Sequence, residues 1–426
     1  MHWKFWKDTT GIAVLLGMAV IVWTLSRPSQ GESLPVTELQ EERTTTSSEG
    51  QWLIEFDDKT PDTRVRMTLT QSSGLYGRND RQFYIRPEHL AGLTTARALA
   101  SGSVTHFQLK RDAGIFVCDG WFKNGKGSGH FGFTANPGFV TELRKRGIDT
   151  PSEKELFSMA LHDVGLDLIN ELSRQGYQPV SLDRLVRMGE HGVTLDYVQG
   201  LNRYGYKPDS IDDLIRVRDH GVNLEFIAGL KALGYDRLSL DELVRTRDHG
   251  VSVEFITAME RMGYGRLPIQ ELVRARDHGV STDFIDDMKT LGYGKLSLEE
   301  LIETRDHGVT AEYIRGMEQM GFGKLSLDEL RRAKDHGVNL EYIRGLDRLG
   351  YKNLSLETLT SAKDHGVTID YIEMLAGLGY KGLSLDQLKR LKDHGVNASF
   401  IRDTQKHGFK DLSLDELVRL KDSGFR

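Results

Sequence analysis

A single cysteine, Cys118, occurs in 426 residues, which excludes an intramolecular disulfide framework and any cysteine-rich zinc site. Neither sign of charge dominates. With 56 basic and 62 acidic side chains the net charge is −6, so nothing favours general binding to nucleic acid, and none is expected. His-Glu-x-x-His is missing, and no complete Gly-x-x-x-x-Gly-Lys-Ser/Thr motif occurs. Ser128 is not in a Gly-x-Ser-x-Gly elbow, because Lys126 stands at the first glycine position. No nucleophile–base pair, metal motif or carboxylate pair has an interpretable spacing. The chain is therefore expected not to be an enzyme, and no catalytic, cofactor-binding or metal-ligating residue is assigned. Its charged fraction of 28% and hydrophobic fraction of 38% describe a bulk that is water-soluble and not wholly disordered.

Long apolar runs are also scarce: one uncharged stretch stands out, residues 11–25, from Gly11 to Leu25. Spanning hydrocarbon takes roughly 20 residues. Trp3, Phe5 and Trp6 before the stretch and Trp23 within it offer interfacial anchors that lengthen its effective span. Lys4 and Lys7 precede it and only Arg27 follows closely, which predicts a cytoplasmic head (1–25 with the anchor) and the remainder outside. A cleaved signal peptide is the rival reading, but no small-x-small site follows the run. Residues 26–50 are polar, with Pro28, Pro35, the acidic stretch Glu38 to Glu42 and a Thr/Ser tract, and are expected to be a disordered tether. As a flexible coil it would reach on the order of 25–30 Å.

Residues 51–135 alternate as strands. Trp52, Ile54 and Phe56 share a face, as do Val65, Met67 and Leu69, then Phe83 and Ile85, and Phe107 and Leu109. Turns are expected at Arg111–Gly114 and Asn124–Gly129, and a helical turn at Pro87–Leu90. Together these predict an antiparallel curled sheet or half-barrel of about five or six strands. Gly125-Lys126-Gly127-Ser128-Gly129 reads as a turn, not a phosphate cradle. Cys118 reads as a buried, inert thiol, and Arg111-Asp112 as a turn device. A ligand or glycan site near Trp121 and the 124–129 turn is an alternative use of this domain.

From residue 136 to the end one pattern returns every 29 residues. His-Gly-Val recurs at His191, His220, His249, His278, His307, His336, His365 and His394, with a degenerate copy at His162-Asp163-Val164. A Gly-Tyr/Phe pair keeps the same register, from Tyr177 to Phe409. Each unit reads as two short helices. Ser239 and Glu242 form a capping box, repeated at Ser297/Glu300, Ser326/Glu329, Ser384/Gln387 and Ser413/Glu416 and broken at Ser355/Thr358. Gly250 suits the left-handed C′ position, Ser252 caps the second helix, and Gly263 ends it. Helices of about 10 residues are not stable alone, so the units must stack. The expected fold is α-rich: a transmembrane helix, a small antiparallel β domain, and at 136–426 an α-solenoid of about nine repeats with terminal half-repeats. The β domain is expected to cap the array at one end, and Lys421, Asp422 and Arg426 to give the other a polar surface.

Eight histidines in register suggest a metal column, a proton sensor or a structural signature. Equivalent side chains should lie a layer apart, about 10 Å, which is too far to share an ion. A histidine in the last helical turn is instead placed to bond free carbonyls, and the structural reading is preferred to a cumulative pH response. Asp241–Arg245 and Asp328–Arg332 are expected as i,i+4 pairs. One slot changes chemistry from unit to unit: Thr257, Asp286, Arg315, Arg344 and Glu373. A constant core with a varying slot predicts a surface for one protein partner.

The Leu-Ser-Leu-Asp-Glu-Leu openings, His-Gly-Val centres and Gly-Tyr closings over about 151–426 resemble helical repeats in bacterial membrane proteins, some of which append similar repeats to BlaR/MecR-type zinc-metallopeptidase sensors. The peptidase part is absent here, so no catalytic residue carries over. Together with the anchor, the tether and the long repeat surface, this resemblance points to a single-pass protein of the bacterial inner membrane with its bulk periplasmic. It would be a scaffold for protein–protein interaction or, alternatively, a regulatory subunit beside a membrane sensor.

Overall fold

The computed structural model describes residues 48–56, 63–72, 78–178 and 180–425. The expected anchor at 11–25 and nearly all of the tether lie outside the described residues. Among the described residues no helix is long and apolar enough to cross a membrane. Strand β1 (Ser48–Phe56) takes in the last three residues assigned to the tether. Ser48, Glu49 and Gly50 pair with Phe133, Gly132 and Phe131, so a partner distant in sequence extends a strand that local composition alone would end.

Strands β2 (Val65–Ser72), β3 (Arg78–Ile85), β4 (Leu90–Ala91), β5 (Ser101–Arg111), β6 (Gly114–Lys123) and β7 (Lys126–Ala135) complete one antiparallel sheet, ordered β3-β2-β1-β7-β6-β5-β4. Among the described residues seven strands replace the expected five or six. Two-residue β4, which pairs Leu90 with Leu109, is too short to show alternation. The helical turn after Ile85 is a 3-10 turn, Pro87–His89. The alternating residues share the buried face: Trp52 lies opposite Leu69, Ile54 opposite Met67 and Phe56 opposite Val65. Gly120 and Gly129 pair across β6 and β7; a Cβ at Gly120 would sit 2.5 Å from the Trp52 ring, and one at Gly129 would meet the backbone of Asp119 and Gly120. The Trp52 indole N–H donates to the carbonyls of Asp119 and His130.

Beyond the sheet, α2 (Pro137–Lys145) precedes nine helix pairs whose first helices are capped at Ser152, Ser181, Ser210, Ser239, Pro268, Ser297, Ser326, Ser355 and Ser384; these pairs are units 1 to 9. A final helix, α21 (Leu414–Asp422), follows. In each expected capping box the serine accepts from the N3 amide while the N3 side chain accepts from the serine N–H, and Ser152/Glu155 is a further box. Gly250 has φ 70° and Gly263 φ 91°, the left-handed conformation that stops each helix. First helices pack on first helices of the adjacent units, and second on second, which buries the Leu, Val, Ile and aromatic stripes in one continuous core.

Unit 1 meets the sheet directly. Phe157 packs 5.3 Å from Phe133, 5.8 Å from Phe116 and 6.3 Å from Phe131. Arg111, 14% exposed, pairs with Asp163 at 2.7 Å. Asp112 accepts from the Leu166 amide at 2.7 Å and so caps α4 (Leu166–Arg174), whose own N-cap is Gly165. The 111–112 pair is thus more than a turn device, and the imperfect repeat at unit 1 has a cause. Asp163 stands where later units have glycine, with φ 59°, and binds Arg111.

Candidate functional site

The histidines form a ladder between units. Each closes the first helix of its unit, and its Nδ1–H donates to the aspartate 28 residues later, at the end of the next unit's first helix. The pairs are His191–Asp219, His220–Asp248, His278–Asp306, His307–Asp335, His336–Asp364, His365–Asp393 and His394–Asp422, at 2.6–2.8 Å, and His249–Asp277. The expected bond to a carbonyl of the histidine's own helix occurs only outside this series, at His162 to Ser158 and His407 to Asp403. A carboxylate outcompetes a carbonyl because it carries full charge. Among the described residues no group of three or more His, Cys, Asp or Glu side chains is placed to hold a metal ion.

Two further sets of contacts cross the junctions. The basic residue before each Asp-His stacks on an aromatic ring of the preceding unit's second helix, from Arg218 over Tyr197 at 5.3 Å to Lys363 over Tyr342 at 4.4 Å. Where that ring is tyrosine, its hydroxyl donates to a carbonyl of the next unit, as Tyr313 does to Val338 at 2.8 Å. Burial pushes the Tyr197, Tyr313, Tyr342 and Tyr371 hydroxyls up to about 12. The Gly-Tyr tyrosines do the same at the other edge: Tyr235 donates to Leu267, Tyr264 to Leu296, Tyr293 to Leu325, Tyr351 to Leu383 and Tyr380 to Leu412.

The expected i,i+4 charge pairs are replaced by others. Asp241 accepts from Arg216 of the preceding unit at 2.9 Å, and Asp328 pairs with Arg331. The stacking of first helices brings Asp241 near Arg216, whereas Asp328 takes the i+3 cation of its own helix. At the array's end Lys421 covers the Phe400 ring and Asp422 completes the histidine ladder. These two residues therefore belong to the ladders and still give this end a polar surface, with Asp422 52% exposed; Arg426 lies outside the described residues.

In the β domain, the turn expected at Asn124–Gly129 shrinks to Asn124 and Gly125, both with positive φ (51° and 80°). Lys126 to Gly129 continue as β7, and Gly127 makes room for the Phe122 ring. Cys118 is fully buried, and burial pushes its thiol up. Trp121 is 51% exposed on the outer face, in one cross-strand row with Val104, Ser128 and Leu53.

The varying slot is half-buried at Thr257 and exposed at Asp286, Arg315, Arg344 and Glu373. Arg315 is tied to Asp287 of the unit before it. Arg344 has no such partner: Gly316 occupies the position in register with Asp287, and Leu340 fills the space where a Cβ would stand.

Arg344 borders a cleft of about 760 Å³ at the junction of units 6 and 7. At the three preceding junctions a cation of the later unit reaches back over the Gly-Tyr pair. Arg266 bonds the Gly234 carbonyl, Lys295 that of Gly263 at 2.7 Å and Lys324 that of Gly292 at 2.6 Å, each stacked on the adjoining tyrosine. At the 6/7 junction Phe322 stands in the tyrosine position and Asn353 in the cation position. Both contacts are lost together, and the cleft opens there. The pocket in register at the 4/5 junction, lined by Tyr264 and Lys295, holds about 230 Å³. Sequence reasoning singled out Arg344 but missed the cleft. Its signal was the coincidence of Phe322 and Asn353, 31 residues apart and each unremarkable alone.

Compared with protein-family models and with curated proteins, the chain matches none.

Proposed function

We propose that this chain is a membrane-anchored, extracytoplasmic repeat scaffold that holds a partner protein along its helical array. One observation carries the reading. The positions that repeat are engaged in joining units, through His–Asp, cation–aromatic and tyrosine–carbonyl contacts, while the slot that varies is exposed at Asp286, Arg315, Arg344 and Glu373. A solenoid so built offers a long surface whose chemistry changes along its length. The anchor rests on the uncharged run at 11–25 and its aromatic flanks, and the outward orientation on Lys4 and Lys7.

The test is site-specific photo-cross-linking in the native membrane, with the photoreactive side chain at Asp286, Arg315 or Glu373 of the full chain and a buried control at Ala333. A scaffold yields the same protein adduct from neighbouring exposed slots and none from the control. Adducts from no slot, in membranes where the chain is intact, would refute the reading.

A further inference from the structure

Building on the scaffold reading, we infer that the cleft between units 6 and 7 receives a peptide segment of the partner protein in which acidic side chains flank an apolar one. Three features of the cleft match three features of such a segment. The exposed side chains Arg344, Arg348 and Lys352 border it, and none has a side-chain partner among the described residues; Asp347 is the one acid beside them. Such an excess of unpaired cations selects carboxylates and repels basic chains. Ile343 is buried, and Phe322 and Leu354 half-buried, in the same lining, a surface for an aliphatic or aromatic side chain. The Gly321 and Leu354 carbonyls are in register with Gly292 and Leu325, which accept from Lys324 and Tyr293. At the 6/7 junction Asn353 and Phe322 offer neither bond, so both carbonyls remain as acceptors for peptide N–H groups.

The carbonyls also distinguish a peptide from a phosphate or nucleic-acid ligand. Two acceptors beside the cations would repel phosphate oxygens but suit a backbone that brings its own donors. The location follows from the packing. Gly316 is needed because Leu340 packs against it, and its lack of a side chain leaves Arg344 free for an outside carboxylate.

The experiment uses the full chain and a fluorescein-labelled heptapeptide, Gly-Asp-Leu-Glu-Phe-Asp-Gly, beside a counterpart with lysine at the acidic positions. The acidic peptide is expected to bind and to weaken with added salt, while the lysine peptide does not bind. Phe322→Tyr combined with Asn353→Lys installs the groups found at Tyr293 and Lys324, so it should close the cleft. It should weaken binding by about tenfold or more, and Arg344→Glu with Arg348→Glu should do the same. Both pairs lie on exposed or half-buried positions, and an unchanged thermal transition will show that they fold. Equal binding of the two peptides, binding unaffected by both variants, or no binding of the acidic peptide up to about 1 mM would overturn the inference. Cross-links from Asp286 that persist when the peptide does not bind would overturn it and leave the scaffold reading standing. Cleft-dependent peptide binding in a chain that cross-links to nothing would support the cleft's chemistry and count against the scaffold.

Discussion

The imidazole of His278 and the carboxylate of Asp306 end helices in adjacent units, and each is partly exposed, 38% and 46%. Removing such a rung costs less than removing a buried one. His278→Ala and Asp306→Ala should each lower stability by about 0.5–1 kcal/mol in denaturant unfolding, and the double variant by less than their sum. Additive losses would mean that the two side chains do not interact. His162 behaves differently. Burial, then the nearby Arg81 charge, hold its imidazole below the usual 6.5, against the Ser158 carbonyl bond and the Glu190 carboxylate, which raise it. With the folded value depressed, the unfolded chain binds the proton more readily, so stability rises with pH. It is fully present above 6.5 and is lost as pH falls below 6.5 towards the lowered folded value. His162→Gln should flatten the fall in melting temperature between about pH 7 and about pH 5.5. An unchanged slope would show that other groups govern it.

Among the elements, α4 depends on a cap supplied by the β5–β6 turn. Asp112→Ala removes that acceptor from the Leu166 amide and should cost about 0.5–2 kcal/mol. Because Asp112 caps only α4, its loss should also raise hydrogen exchange at the α4 N-terminus before any change in units 2 to 9. Equal exchange across α4 would show that Gly165 needs no help. Elements whose determinants lie within a few residues were legible in the sequence. Ser239 with Glu242, Gly250 and Ser252 mark helix ends by chemistry local to one turn. The strand at Ser48 and the two-residue β4 were not, since each exists through a partner far along the chain. The Asp241–Arg245 pair failed for the same reason: Asp241 had a better-placed cation, Arg216, in the neighbouring unit.

On the scale of the whole molecule, the sheet and the array share one core. Cutting the chain after Ile148 would strip Phe157 from Phe116, Phe131 and Phe133, so that fragment should aggregate or bind hydrophobic dyes. A fragment ending at Asp209, which keeps units 1 and 2, should remain soluble with a cooperative transition. Similar behaviour of the two fragments would show that the sheet does not rely on unit 1. The cleft also belongs to this scale, because its two walls come from different units and its chemistry depends on what Phe322, Asn353 and Gly316 fail to provide.

By itself the sequence determined the 29-residue period, the two helices of each unit and their caps, and the alternation of the main strands. The helices, caps and strand alternation depend on residues within one or two turns, where spacing maps directly onto geometry, and the period is read from recurrence alone. Only the tertiary structure decided that the histidines bond aspartates of the next unit, that Asp163 holds Arg111, and that a cleft opens beside Arg344. Those outcomes depend on how one layer sits on the next. Spacing along a chain does not encode that relation, which follows from the packing of side chains such as Leu340 on Gly316.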